Sequence, residues 1–235
     1  MSQISPANRL PELVAHRGAS WLAPENTLSS VNLAWEIGAD AVEIDIYLSA
    51  DNQIVLFHDA TTRRTAGQDG RVEEMTFDEL RQLDVGLWKG AQWQGERIAT
   101  LEPALATVPP GKRIFVETKT DERIVEPMLE VFDRSGLHPW QIVVITFSWE
   151  TAEKTKRLRP HTPVYWLSGF RQDPETGAWS PTMEELVEKA QEANLDGLNL
   201  RFIGPATEDV EVARIRDAGL GYYIWTVSDL DDAQR

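Results

Sequence analysis

The sequence has no cysteine, no long apolar run and fewer basic than acidic residues. The absence of cysteine excludes disulfides, thiolate metal sites and a cysteine nucleophile. No stretch approaches the roughly 18 uncharged apolar residues of a membrane span, and the N-terminal residues lack the apolar core of a secretory signal, so we expect a cytoplasmic protein. A net charge of −15, from 23 basic and 38 acidic residues, argues against a nucleic-acid partner, because such proteins carry a basic face.

Motifs of several common enzyme classes are also missing. The sequence contains no G-x-G-x-x-G after a strand, no P-loop, no H-E-x-x-H and no G-x-S-x-G. Their absence removes support for nucleotide-dependent, zinc-peptidase and serine-hydrolase functions.

Short apolar segments alternate with helical patterns along the chain, which is typical of a parallel α/β fold. The segments that we expect to form strands are residues 13–16, 41–48, 54–57, 114–117, 142–146, 164–167, 197–200 and 222–227. Residues 61–100 break this rhythm, because they are rich in Gly, Arg and Trp and contain one clear helical pattern. No repeat or linker divides the chain. We therefore expect a single domain over residues 1–235, with a loop-rich insertion at about 61–100.

Glu43 and Asp45 lie two positions apart in the segment 41–48, so their carboxylates project from the same face of a strand. Two buried carboxylates repel each other and are unstable in the charged state without a cation. Oxygen ligands of this kind suit Mg²⁺ or Ca²⁺, and the residues alone do not distinguish the two ions. The alternative is a solvent-exposed strand face, on which acidic residues cost little.

The chain brings a histidine back beside these carboxylates if Asp51 and Asn52 form a two-residue hairpin turn. Such a turn places His58 opposite Asp45, with the register uncertain by a residue or so. We therefore expect an imidazole beside the acidic pair.

Further reactive side chains occur where other predicted strands end. His16 and Arg17 end the first strand, and Glu117 and Lys119 share one face at the end of a later one. The ligands and catalytic groups of a barrel cluster at the carboxyl ends of its strands. This combination of side chains suits phosphate-ester chemistry. The carboxylates would hold a metal, the basic groups would neutralise phosphate oxygens, and the histidines would move protons.

These motifs occur in a fixed order along the chain. They are His16-Arg17-Gly18, Pro24-Glu25-Asn26-Thr27, Gly38-Ala39-Asp40 leading into Glu43-x-Asp45, His58-Asp59, Glu117-x-Lys119 and Trp225-Thr226-Val227. In this order and spacing, the sequence closely resembles the glycerophosphodiester phosphodiesterase family. The resemblance runs from residue 14 to residue 228 and so covers nearly the whole chain.

The resemblance implies a distorted TIM (β/α)₈ barrel of the PLC-like phosphodiesterase type. It also implies hydrolysis of a small-molecule glycerophosphodiester to glycerol 3-phosphate and an alcohol. The implied roles are divalent-metal ligands for Glu43, Asp45 and Glu117, general acid and base for His16 and His58, and phosphate contacts for Arg17 and Lys119. The cofactor would be a divalent cation, Mg²⁺ or Ca²⁺.

The resemblance further implies that the 2-hydroxyl of glycerol attacks phosphorus first and that water then opens the cyclic phosphate. An intramolecular nucleophile of this kind is already in position. One histidine would deprotonate the hydroxyl and the other would protonate the leaving alkoxide, but the sequence does not assign the two roles. Among the nine tryptophans, Trp225 is the one that we expect to line the substrate pocket.

Three other functions are compatible with parts of this pattern. A lipid-directed phospholipase D-type enzyme would use a related barrel, although no basic amphipathic helix is present to bind a bilayer. An aldolase-like barrel would use Lys119 as a Schiff base. A non-catalytic binding protein would have no need for the complete set of histidines and carboxylates.

The number of strands raises one further expectation. If residues 41–48 form the second barrel strand and residues 54–57 an accessory strand, then residues 222–227 form the seventh. We therefore expect the sequence to lack the C-terminal eighth strand of the barrel, which would leave two strand edges open. A naturally open barrel, or closure by a partner chain, is the alternative.

Overall fold

The computed structural model describes residues 11–203 and 209–227. The strands in these residues are β1 (Val14–Ala15), β2 (Ala41–Leu48), β3 (Ile54–Leu56), β4 (Arg113–Thr118), β5 (Ile142–Thr146), β6 (Val164–Ser168), β7 (Arg171–Gln172), β8 (Trp179–Ser180), β9 (Gly197–Arg201) and β10 (Gly221–Trp225). The α-helices are α1 (Leu28–Glu36), α2 (Arg63–Ala66), α3 (Phe77–Leu80), α4 (Leu101–Leu105), α5 (Val125–Arg134), α6 (Trp149–Leu158), α7 (Met183–Glu192) and α8 (Asp209–Asp217). Short 3₁₀ helices lie at Val72–Glu74, Ala91–Trp93, Glu122–Ile124 and Pro139–Gln141.

Parallel strands form the main sheet in the order β1-β2-β4-β5-β6-β9-β10, and helical segments connect most neighbours. β1 pairs with the first residues of β2, whereas β3 pairs antiparallel with its last residues. β7 and β8 form a separate small hairpin. The predicted strands are therefore confirmed, with ends that differ from the expected ones by at most two residues.

The sheet curls until its two ends approach each other. β4 and β10 are four strands apart, which corresponds to about 19 Å in a flat sheet, yet the rings of Phe115 and Tyr223 are 4.8 Å apart between centroids. Tyr223 also donates a hydrogen bond to Glu12 Oε2 at 2.5 Å, immediately before β1 at the opposite end of the sheet. Arg113 on β4 contacts both of these groups.

This curled parallel sheet, with helices on its outer face, is the expected distorted TIM barrel. The alternation within β2 shows why it forms: Ile44 and Ile46 are fully buried against the helix layer, while Glu43 and Asp45 project to the inside. Residues 228–235, on which the expectation of a missing eighth strand depends, lie outside the described residues.

The hairpin after β2 corrects one prediction. Ile46 pairs with Leu56 and Leu48 with Ile54, so Asp45 lies opposite Phe57 and not opposite His58. The connection spans residues 49–53 because Ser49 bonds to Gln53 before the turn and Asn52 adopts a left-handed φ of 59°. The longer loop shifts the register by one residue.

The predicted insertion at 61–100 has more structure than one helix. It holds α2, α3 and two 3₁₀ helices, with β-bridges at Thr61 and Thr100. Its apolar residues pack with the outer end of the β2–β3 hairpin in a second core cluster of Tyr47, Val55, Phe57, Val72, Leu80, Leu83, Val85 and Ile98. This cluster holds the insertion against the carboxyl end of β2.

Within the described residues, no helix is both long enough and apolar enough to cross a bilayer.

We predict that Tyr223→Phe destabilises the protein by about 1–2 kcal/mol, because Glu12 and Arg113 each lose a hydrogen-bond partner inside the barrel. Denaturant unfolding measures this change. Tyr222→Phe is the matched control, since the Tyr222 hydroxyl meets Arg216 on the exposed surface, and its effect should stay within about 0.5 kcal/mol. Equal losses of unfolding free energy in the two variants would contradict the role of Tyr223 in joining the two ends of the sheet.

Candidate active site

Three carboxylates meet at the carboxyl ends of β2 and β4. Asp45 is opposite Glu117 in the parallel pairing, and Glu43 precedes Asp45 on the same face. One oxygen from each of the three lies within 4.8 Å of the others. All three side chains are buried, with relative exposures of 4% for Glu43, 0% for Asp45 and 7% for Glu117. The alternative of a solvent-exposed strand face is therefore wrong.

Burial and mutual repulsion disturb the ionisation of this cluster. Burial, followed by the charges of Asp45 and Glu117, raises the pKa of Glu43 well above its usual value. Burial and the charge of Asp45 likewise raise the pKa of Glu117. The surrounding cations therefore do not fully compensate the negative charge of the three groups.

The donor set fits a hard divalent cation. Glu43 Oε1 is buried and accepts no hydrogen bond from the described residues. Buried carboxylate oxygens without donors are costly, whereas oxygen atoms grouped at this spacing are the ligands that Mg²⁺ and Ca²⁺ prefer.

Lys119 follows β4 and lies against the cluster. Its Nζ atom is 3.0 Å from Asp45 Oδ1, and it also pairs with Glu117. Burial acts to lower the pKa of Lys119, but the charges of Asp45 and Glu117 outweigh it and raise the pKa. A lysine held in the protonated state is a poor nucleophile, which argues against the Schiff-base alternative.

Arg17 reaches the cluster from the loop after β1. Its backbone N–H donates to Glu43 Oε2 at 2.8 Å, and its Nε atom lies 3.3 Å from Asp45 Oδ2. This approach needs a left-handed backbone, with φ of 58° at Arg17 and 76° at Gly18. A Cβ atom on Gly18 would lie 2.6 Å from the carbonyl carbon of Ser30. Glycine is therefore required there by the turn and by the closeness of α1.

Asn26 is a site residue to which our sequence analysis assigned no role. Its side-chain amide donates to Asp45 Oδ2 at 2.8 Å and accepts from the Asp45 backbone N–H at 2.9 Å. Asn26 also adopts a left-handed φ of 54°, a conformation that asparagine tolerates better than most residues. Its position in the Pro24-Glu25-Asn26-Thr27 motif was the available signal, but the motif does not reveal the partner.

The two predicted histidines flank the carboxylates and differ in their surroundings. His16 is about half exposed, with Nε2 3.9 Å from Glu43 Oε2. Burial, followed by the charge of Arg17, lowers the pKa of His16. A lowered pKa keeps this imidazole neutral near pH 7, so it is able to accept a proton.

His58 is held by its sequence neighbour. Its Nδ1 atom is 2.6 Å from Asp59 Oδ1. Burial opposes ionisation of Asp59, but hydrogen bonds from Arg64 and His58 outweigh it and lower the pKa of Asp59 to about 2. Since an ionised carboxylate only accepts hydrogen bonds, Nδ1 carries a proton and Nε2 is the atom left for proton exchange.

Trp225, the predicted pocket residue, lies at the end of β10. Its indole N–H donates to the Asn199 carbonyl at 3.2 Å. Its ring packs edge-on against the exposed Phe147, with 5.7 Å between the centroids. No described contact joins Trp225 to the carboxylates, so its predicted contact with substrate stays a prediction.

Comparison with known proteins shows the family of this chain. A family model described as the glycerophosphoryl diester phosphodiesterase family matches residues 16–235. The chain belongs to this family. A Bacillus subtilis glycerophosphodiester phosphodiesterase is 28% identical over 239 residues, which cover 94% of this chain and 78% of that protein. Membership in the family confirms the expectation of an enzyme that hydrolyses glycerophosphodiesters.

Solved structures of the family resemble this one over most of its length. An Oleispira antarctica phosphodiesterase, solved in complex with the product sn-glycerol-3-phosphate, is 30% identical with a TM-score of 0.83, covering 96% of this chain and 88% of that one. A Thermotoga maritima glycerophosphodiester phosphodiesterase is 24% identical with a TM-score of 0.75, covering 97% and 91% respectively. The Thermotoga maritima structure supports the fold alone, and both structures agree with the distorted TIM barrel.

The raised pKa of Glu43 predicts how stability depends on pH in the cation-free protein. The folded state keeps a proton that the unfolded state releases near pH 4.5, so stability falls as pH rises from about 4.5 towards the folded-state pKa. Glu43→Gln removes this loss and should raise the melting temperature by roughly 2–4 °C at about pH 8, with a smaller difference at about pH 5.

Thermal unfolding in the presence of a chelator measures this effect. Glu36→Gln, at an exposed position on α1, is the matched control and should change the melting temperature little at either pH. A Glu43→Gln variant that is less stable than the wild type at the higher pH would contradict the account of the cluster.

Proposed function

We propose that this enzyme cleaves glycerophosphodiesters to glycerol 3-phosphate and an alcohol with the help of a divalent cation and two histidines. The observation that carries the proposal is the arrangement at one edge of the sheet, where three buried carboxylates are flanked by two imidazoles and two cationic side chains. The product bound to the Oleispira antarctica relative supports a small-molecule substrate.

Glu43, Asp45 and Glu117 are the residues that would hold the cation, since their oxygens converge and the buried Glu43 Oε1 has no hydrogen-bond donor among the described residues. When bound, a divalent cation supplies positive charge that neutralises the phosphate oxygens and favours the charge that develops on them during the reaction. Mg²⁺ and Ca²⁺ are both suitable for this donor set.

Arg17 and Lys119 bind the phosphate in this proposal. Arg17 lies against Oδ2 of Asp45 and Lys119 against Oδ1. Part of each side chain is accessible to solvent, 18% for Arg17 and 16% for Lys119. An anionic substrate would therefore meet local positive charge although the whole chain carries a net charge of −15.

The surroundings of the histidines favour one assignment of roles. His16, kept neutral by its lowered pKa, accepts the proton of the glycerol 2-hydroxyl while that oxygen forms its bond to phosphorus. His58, whose Nδ1 is held by the ionised Asp59, donates a proton from Nε2 to the departing alkoxide as the phosphorus–oxygen bond breaks. The roles reverse when water opens the cyclic phosphate and restores the 2-hydroxyl.

The remaining predictions extend this proposal. Trp225 and its neighbour Phe147 form an apolar edge on which the substrate rests. Residues 1–235 act as one catalytic domain, in which the insertion at about 61–100 packs beside the site through its own apolar cluster.

The direct test is an assay for glycerol 3-phosphate release from several glycerophosphodiesters, with a lysophospholipid included to test the lipid-directed alternative. Exhaustive chelation should abolish release, and Mg²⁺ or Ca²⁺ should restore it, because the carboxylates need a cation to bind phosphate beside them. Asp45→Asn, which weakens the donor set, should not regain wild-type activity at the same cation concentration. Activity that survives chelation would contradict the metal assignment.

Replacing either histidine tests proton transfer. His16→Ala and His58→Ala should each lower kcat by about 10²-fold or more, the range for loss of a general acid or base. His161→Ala is the matched control, because His161 is exposed after α6, away from the carboxylates, and its kcat should equal that of the wild type. Near-normal turnover in either active-site variant would remove that histidine from the mechanism.

A further inference from the structure

Arg64 comes from the insertion but points towards the active site. It lies in α2, which begins after Thr62 and ends at Gly67. Thr62 and Thr65, at its beginning and within it, are buried. The neighbouring Arg63 lies on the opposite side, where it pairs with Asp69. The two adjacent arginines therefore have different surroundings.

The guanidinium of Arg64 joins two carboxylates. Nε donates to Asp59 Oδ2 at 2.6 Å, and Nη2 lies 3.2 Å from Asp59 Oδ1. Nη1 and Nη2 donate to the two oxygens of Glu25 at 2.8 and 2.7 Å. Because all three nitrogens are engaged by these acidic partners, Arg64 is poorly placed to bind a phosphate oxygen.

These contacts connect the two sides of the active site. Asp59 bonds to His58, and Glu25 accepts a hydrogen bond from Arg17 Nη1 at 2.9 Å. Glu25, His58 and Arg64 also line one small cavity. Opposite charges thus alternate from the proposed acid, through Arg64, to the proposed phosphate-binding arginine.

We propose that Arg64 is a positioning residue that holds Asp59 against His58 and thereby fixes the imidazole with Nε2 towards the leaving group. This inference rests on the proposed function, in which His58 protonates the departing alcohol. Without Arg64, the Asp59 carboxylate loses its second partner and is free to turn to solvent. The imidazole then loses its fixed orientation.

The contribution of Arg64 is geometric and not mainly one of stability. Its side chain is 43% exposed, and ion pairs at such exposure add little to folding free energy. Lysine cannot replace it fully, since a single ammonium group lacks the fork that spans both carboxylates.

The experiment compares two glycerophosphodiesters that differ in their need for an acid. Glycerophosphocholine releases an alkoxide that requires protonation, whereas the p-nitrophenyl ester of glycerol phosphate releases a stable phenolate. The rate measured is release of the leaving group in a single turnover, because opening of the cyclic phosphate is common to both substrates. Arg64→Met should lower the rate of choline release from glycerophosphocholine by about 10- to 100-fold, the range for loss of a residue that orients a functional side chain. The rate of p-nitrophenolate release should fall by less than about threefold, since this leaving group needs no acid.

Control variants separate this role from a general structural effect. Arg63→Met should leave both substrates unaffected, and His58→Ala should show the same selective loss as Arg64→Met but larger. Arg64→Lys should fall between Arg64→Met and the wild type on glycerophosphocholine, and it keeps the comparison available if the methionine variant fails to fold. KM for both substrates should change little, because Arg64 does not touch the phosphate.

Three results would overturn the inference. If His58→Ala is selective for the poor leaving group but both Arg64 variants are not, Arg64 does not act through His58. If the Arg64 variants raise KM equally for both substrates, Arg64 acts on phosphate binding. If His58→Ala itself shows no selectivity, the acid role of His58 in the proposed function fails first, and the inference fails with it.

Discussion

The arrangement of this site depends on the burial of three carboxylates at the carboxyl ends of two adjacent strands. Glu43 and Asp45 face the barrel interior because the alternate positions of β2 must bury isoleucine against the helices. Register with β4 then brings Glu117 beside them. Negative charge in that position requires cations nearby, and the surrounding loops are shaped to supply them.

Some loop residues contact the carboxylates directly, and others contact these residues from farther out. The left-handed turn at Arg17 and Gly18 brings a guanidinium and a backbone N–H to the carboxylates, and Asn26 fixes the orientation of Asp45. Arg64, from the insertion, then links the outer acidic residues to His58. In the proposed mechanism the insertion therefore takes part in catalysis, and its separate apolar cluster holds it beside the site.

Sequence periodicity predicts the carboxylate cluster, but it does not predict the loop residues that contact it. The two-residue spacing of Glu43 and Asp45 predicts a shared face in any strand. The motifs lie at the carboxyl ends of the predicted strands, and this position predicts which side chains converge. The partner of His58 was misplaced by one residue, because a turn formed by Ser49 and its neighbours has no simple sequence signal. The partners of Asn26 and Arg64 depend on how loops distant in sequence pack together, which residue patterns do not encode.

Calorimetric titration of the cation-free protein with Mg²⁺ and Ca²⁺, repeated in buffers of different ionisation enthalpy, tests the central claim most directly. If the carboxylate cluster is the cation site, one ion binds per chain and displaces protons from Glu43 and Glu117, whose pKa values are raised. The number of protons released should fall as the pH rises, and Asp45→Asn should weaken binding. Absence of binding, or binding without proton release and indifferent to Asp45→Asn, would contradict the account.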